Sequence, residues 1–252
     1  MPHFQRSPLP ISPAHWQDFP NGEHIKQQVE LAMAPWWPRI FGYHLLKLGP
    51  LSAEVDSQAC TILHQFSVFD TQGAALRGDI AQLPLQHASV DAVLANFVLE
   101  FEANPYQVLR EVDRVLISGG QLILTGFNPL SMAFAGKLLP RYQGCLPWCG
   151  HFFLPSRVKD WLALLGYQVI CDERLLYHPL FGAMDNATRW QQALASWLPG
   201  AGSLYLIIAR KLESPLTPIR EKHKVRRPRW QTVPSAGRVQ SDTPSGAELK
   251  RQ

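Results

Sequence analysis

Two stretches of the 252-residue chain hold polar side chains in a pattern that suits ligand chemistry. The first is Gly78-Asp79-Ile80-Ala81-Gln82-Leu83-Pro84. Here a carboxylate directly follows a short candidate strand, Ala74–Arg77. Asp79 can accept from the exocyclic amino group of a purine, and Ile80 can cover the ring face. A plain turn closed by Asp79 suits the same residues. The second stretch is the run from Ser89 to Gly120, which contains the apolar strand candidate Val90–Asn96. In open parallel sheets, ligands bind beyond the carboxyl ends of the strands. Chemistry therefore belongs at Gly49–Ala53, Asp70–Gln72, Gly78–Leu83, Asn96–Phe101 and Phe127–Ser131.

Other constellations carry less. His44, His64, His87, His151 and His178 sit in no motif that makes one of them a base. Cys145 and Cys149 have no second ligand pair near by, and a structural zinc site needs four ligands. Glu100 and Glu102 read as solvated carboxylates past a strand end. No G-x-G-x-x-G and no phosphate loop is present, which argues against a nicotinamide dehydrogenase or an NTPase. Trp16, Trp36 and Trp37 near the N-terminus, with Trp148, His151 and Phe152 further on, suit a lid over a planar or lipophilic acceptor. They suit ordinary packing over a sheet equally well.

These positions need a scaffold, and composition allows one. Hydrophobic residues make up 46% of the chain and charged residues 17%, which fits a globular core. No window reaches the ~18 uninterrupted apolar residues of a membrane span. Met1–Pro10 does not read as a secretory signal, and four scattered Cys make no disulfide framework. The expectation is a soluble cytoplasmic protein. The net charge of +4 is unevenly placed. Leu212–Gln252 holds nine of the 24 Lys/Arg and four of the 20 Asp/Glu, leaving 15 basic and 16 acidic residues in the rest. This basic segment, rich in Pro, Ser, Thr and Gly, cannot repay the entropy of ordering and reads as a disordered tail. It can hold a nucleic-acid backbone through counterion release, although a solubilising role is favoured.

Strands and helices then alternate along the chain. Met1–Pro20 reads as an extended arm and Glu23–Ala34 as a helix capped by Asn21. Strand candidates are Tyr43–Leu48, Thr61–Phe69, Ala74–Arg77, Val90–Asn96, Gln121–Phe127, Tyr167–Asp172 and Leu204–Arg210. Asn104-Pro105 opens a helix with Val108, Val112, Val115 and Leu116 inward, and Gly119-Gly120 ends it. Pro155 opens another, stopped by Gly166, and Asn186–Trp197 is a third. Such alternation means a mostly parallel α/β sheet with helices on both faces. The expected organisation is an arm and helix over 1–42 as a substrate cover, a domain over 43–211 with an insertion at 128–153, and the tail over 212–252.

The run from Gly78 to Pro129 resembles class I S-adenosylmethionine-dependent methyltransferases, most closely those of quinone biosynthesis. The likeness rests on Asp79, Leu83-Pro84, Asp91, Leu109-Arg110-Glu111, Arg114-Val115-Leu116 and Gly119-Gly120. Leu154–Val169 resembles the helix and strand that follow the fifth strand in that family. The opening Phe41–Val55 is similar to the YafS-type bacterial group. The resemblance implies a Rossmann-like sheet of seven strands with the last antiparallel, and S-adenosyl-L-methionine as cofactor. It implies methyl transfer to a small-molecule acceptor, without assigning a catalytic residue or a metal; the alternatives are a catalytically inactive binding or regulatory protein of the same fold and an RNA-directed methyltransferase using the basic tail. Carried over residue by residue, Asp79 would bind the adenine amino group and Ile80 would line the ring. Asn96 and Phe97 would border the methionine part. Gly49 would be the first glycine of the cofactor loop, followed here by Pro50 in place of further glycines. Asp70 is the candidate for the ribose hydroxyls, with Glu54 and Asp56 as alternatives.

Overall fold

The computed structural model describes residues 12–71, 73–142, 144–178, 180 and 199–212. The chain divides into two units, Met1–Ser214 and Pro215–Gln252, and the second lies outside the described residues. The expected helix Asn186–Trp197 and the basic tail beyond Leu212 lie outside them too.

The elements follow the expected order. Helix α1 is Gly22–Met33, and strand β1 is His44–Leu48. A single turn, α2, covers Pro50–Ala53. Strands β2 (His64–Phe69), β3 (Leu76–Arg77) and β4 (Val90–Asn96) come next. Helix α3 (Pro105–Val115) leads directly into β5 (Leu116–Phe127). The short α4 (Ala135–Leu138) precedes α5 (Pro155–Leu164), β6 (Tyr167–Leu175) and β7 (Leu204–Lys211). The strands form one seven-stranded sheet in the order β3-β2-β1-β4-β5-β7-β6. The neighbours from β3 to β5 pair in parallel. The last strand, β7, runs antiparallel to both β5 and β6.

Alternation along each strand divides the core between two faces, because successive Cβ atoms point to opposite sides of a sheet. Leu45, Leu94, Ile123 and Ile208 join the cluster that holds α1, Trp16 and Phe19. Leu46, Val93, Leu122 and Ile207 join the cluster under α3 and α5. In α3, Val108, Leu109, Val112 and Val115 are buried. Asn104 caps this helix, its Oδ1 accepting from the Gln107 N–H at 3.2 Å, and Pro105 fills the first turn.

The scaffold departs from expectation at several places. Gly119-Gly120 do not end α3, which stops at Val115. They shape a bulge in β5 between the pairs Val90↔Leu116 and Ala92↔Gln121. The extra residues must loop out, and Gly119 does so at φ +80. A Cβ on Gly120 would stand 2.8 Å from the Asp91 carbonyl oxygen. Asn21 precedes α1 at φ 57 but makes no side-chain cap, and its amide donates to the Leu180 carbonyl instead. The described part of the arm is also no loose extension. Trp16 is fully buried, donates from Nε1 to the Leu51 carbonyl at 3.0 Å, and meets Phe97 edge-on. Trp37 and Trp148 are buried as well. Among the described residues, no helix is long and apolar enough to cross a membrane.

Candidate functional site

The carboxyl ends of β1, β2 and β4 and the segment after β3 surround one cleft. At the end of β1, Gly49 turns the chain at φ 81, and Pro50 begins α2. The missing N–H of Pro50 costs nothing at a helix start. The Gly49 N–H donates to the Val68 carbonyl, and its own carbonyl accepts from Ala53. At the end of β2 stand Phe69 and Asp70. After β3, Asp79 folds its chain into a turn. Its Oδ1 accepts from the Ala81 N–H at 2.8 Å and its carbonyl from the Gln82 N–H at 3.1 Å. Asp79 therefore closes a turn and faces the cleft at once.

The cleft has a wide lobe and a narrow one. The wide lobe encloses about 420 Å³ and is lined by Pro50, Asp70, Asp79 and Ile80 among others. The narrow lobe, about 20 Å³, reaches Gly49, Asn96, Phe97 and Val98. Ser12, Pro13, Pro50, Ile80 and Glu102 line both. All seven residues expected from the sequence thus border a single cleft. Of the alternatives to Asp70, Glu54 borders a neighbouring cavity of about 390 Å³ and accepts from His15 Nδ1 at 2.6 Å. That hydrogen bond and the Glu54 charge raise the His15 pKa. The Asp56 carboxylate accepts from the Gln58 N–H, within its own loop.

Asn96 carries the most telling hydrogen-bond pattern. It is 2% exposed. Its N–H donates to Ser52 Oγ at 2.8 Å, and its Oδ1 accepts from Thr125 Oγ1 at 2.8 Å. Its Nδ2 is buried without a partner. Buried donors in native proteins are nearly always paired, so an orphan beside a cleft points to a missing acceptor. Phe97 follows at φ 53, a conformation that costs roughly 1–3 kcal/mol in a non-glycine residue. Trp16, Phe19 and Phe127 hold its ring from three sides.

Several site residues lay beyond the sequence reading. Ser12 and Pro13 cross the cleft from the arm. Glu102 is only partly exposed; burial and the Asp79 charge both push its carboxyl upward. Glu100 is fully buried, contrary to the expectation of a solvated side chain. Its Oε1 accepts from the Phe127 N–H, and burial pushes its carboxyl up to about 8. The pattern Leu-Arg-Glu-x-x-Arg also finds a physical role here. The Glu111 carboxylate accepts from the Leu83 N–H and pairs with Arg114 at 2.9 Å. Arg114 donates in turn to the Leu83 and Leu85 carbonyls. This clamp on Leu83–Leu85 fixes the loop whose start is Asp79. No group of three or more His, Cys, Asp or Glu able to hold a metal occurs among the described residues.

Known proteins match this architecture. A family model described as a methyltransferase domain fits residues 53–124. The uncharacterized protein YafS of Escherichia coli (strain K12) is 35% identical over 230 residues, 90% of this chain and 93% of that protein. An S-adenosylmethionine-dependent methyltransferase from Mesorhizobium loti superposes with a TM-score of 0.51 at 17% identity, over 71% of this chain and 96% of that one. A chain from the complex of the Haloferax volcanii Trm112 methyltransferase activator with a methyltransferase gives 0.58 at 13% identity, covering 78% and 94%. At such identities the structural likeness concerns the fold.

Proposed function

The chain belongs to the class I S-adenosylmethionine-dependent methyltransferase superfamily, alongside YafS, and from that membership we propose that its cleft binds S-adenosylmethionine for methyl transfer to a small-molecule acceptor. The observation that carries the reading is the match between the cleft's polar groups and the chemistry of that cofactor's two halves; the narrow lobe, about 20 Å³, holds little more than a water and must widen to admit the methionine half. In the wide lobe, Asp79 suits the adenine amino group and Ile80 the ring face, while Asp70 suits the ribose hydroxyls. In the narrow lobe, the unpartnered Asn96 Nδ2 is a donor for the methionine carboxylate. Gly49 and Pro50 border the same end, with Phe97 closing its floor.

When bound, the cofactor supplies a methyl group activated by a sulfonium. The chain's share is to align the reactants and keep water out, which needs no dedicated catalytic side chain. The buried aromatic floor of Trp16, Phe97 and Phe127 serves the exclusion of water. Among the described residues, the lining of both lobes includes three carboxylates and no Lys, Arg or His. That disfavours a nucleic-acid backbone in the cleft itself, so a small-molecule acceptor is the better reading.

Thermal unfolding with S-adenosylhomocysteine tests the proposal. At about 100-fold excess over Kd, linkage predicts about 2.7 kcal/mol of stabilisation. D79N should weaken binding. Absence of any stabilisation at millimolar ligand would falsify the reading.

A further inference from the structure

The two lobes of the cleft meet at a single charged side chain. Among the described residues, five line both lobes, and of these Glu102 alone is ionisable. A ligand that spans both lobes places its connecting atom at this junction. In S-adenosylmethionine, taken as the ligand on the reading above, that atom is the sulfonium sulfur. It carries a positive charge before methyl transfer and none afterwards. Among the described residues, the lining supplies no cation to offset Glu102. Asp79 lies close enough for its negative charge to act on Glu102. A partly buried carboxylate beside a second carboxylate lacks a counter-charge, and a cation at the junction would provide one. A neutral thioether there would not.

We infer that Glu102 is a specificity-determining residue that makes the cleft favour a sulfonium over the neutral thioether left after methyl transfer. The cofactor is thereby drawn in and its product released more readily. In a cleft of effective dielectric about 40, one unit charge about 6 Å away changes a binding constant about tenfold. Glu102 contributes by its charge, whereas Asn96 contributes by a hydrogen bond common to cofactor and product, and Asp79 contributes by both.

Calorimetric titration of the full chain with three ligands tests this. S-adenosylmethionine and sinefungin carry a cation at the junction, the latter as an amine, and S-adenosylhomocysteine does not. E102Q should weaken the two cationic ligands about tenfold and leave the neutral one nearly unchanged. D79N should weaken the neutral ligand as well as the two cationic ones, and E102D should restore the preference. Equal weakening of all three ligands in E102Q would assign Glu102 a merely structural part and overturn the inference, as would an unchanged preference. Failure of wild type to bind any of the three overturns the cofactor reading itself. Should E102Q not fold, loss of the preference in E102A or its persistence there decides the matter.

Discussion

Replacing Glu100 by Gln should raise stability at neutral pH and flatten its dependence on pH. Glu100 is fully buried between the segment after β4 and the end of β5. Burial pushes its carboxyl from 4.5 up to about 8, against the opposing pull of hydrogen bonds from its own N–H, Phe127 and Tyr205. The folded state thus keeps a proton that the unfolded chain releases above about 4.5. Its folded pKa is the higher one, so stability is greatest below the unfolded value and falls as pH rises through the folded value. Each pH unit in that window costs about 1.4 kcal/mol. From pH 5 to 7 the loss is about 3 kcal/mol. Gln keeps an acceptor for the Phe127 N–H and does not ionise. Urea unfolding of wild type and E100Q at several pH values from about 5 to 8 isolates the effect, since other titrating groups such as His178 cancel in the difference. The advantage of E100Q should grow steadily across the range. A difference that stays constant with pH refutes the claim that a buried proton sits on Glu100.

Two further substitutions probe the same scaffold. G126A should destabilise by several kcal/mol, because a Cβ there overlaps the Tyr205 hydroxyl and Glu100 Oε1 in a space with no room to relax; unfolding free energy measures it, and a loss below about 1 kcal/mol contradicts the close approach. R114A removes the donors to the Leu83 and Leu85 carbonyls and leaves Glu111 with the Leu83 N–H but without its cation, which should cost about 1–3 kcal/mol. R114K should recover only part of this, since an ammonium cannot reproduce the fork that spans two carbonyls and a carboxylate.

The parallel centre of the sheet was legible because strands buried on both faces leave near-continuous apolar runs. Val90–Asn96 has the same limits in sequence and structure. The Gly119-Gly120 pair was misread because glycines mark any abrupt backbone, whether a helix end or a bulge. Only the pairing of β5 with β4 distinguishes the two. The arm was illegible for a different reason. Trp16 and Phe19 answer to Leu51, Phe97 and Phe127, which are distant in sequence, so no local period marks them as core. Glu100 is a similar case. Its neighbours read as a loop, and its burial is supplied by Gly126 and Tyr205 from β5 and β7.

On the proposed reading, the loop after β1 shows how a missing motif can be compatible with cofactor binding. Glycines in such a loop permit unusual φ and close backbone approach. Here one residue needs the first property and little of the second. Gly49 alone takes a positive φ, and the chain enters α2 at the next residue. Pro50 presets that entry, because its fixed φ is already helical and its absent N–H would have no partner in the first turn. Close approach is demanded chiefly at Gly49 itself, where a Cβ would come within 3.2 Å of Val98 Cγ2. Behind the loop, Ser52 Oγ accepts from the Asn96 N–H and ties α2 to the end of β4. The turn is thus held by a proline, a helix start and a hydrogen bond from strand to helix. The donors that further glycines would have exposed to a ligand carboxylate are fewer, and the unpartnered Asn96 Nδ2 stands where one is wanted. An affinity that depends on Asn96 more than on the loop backbone follows from this exchange.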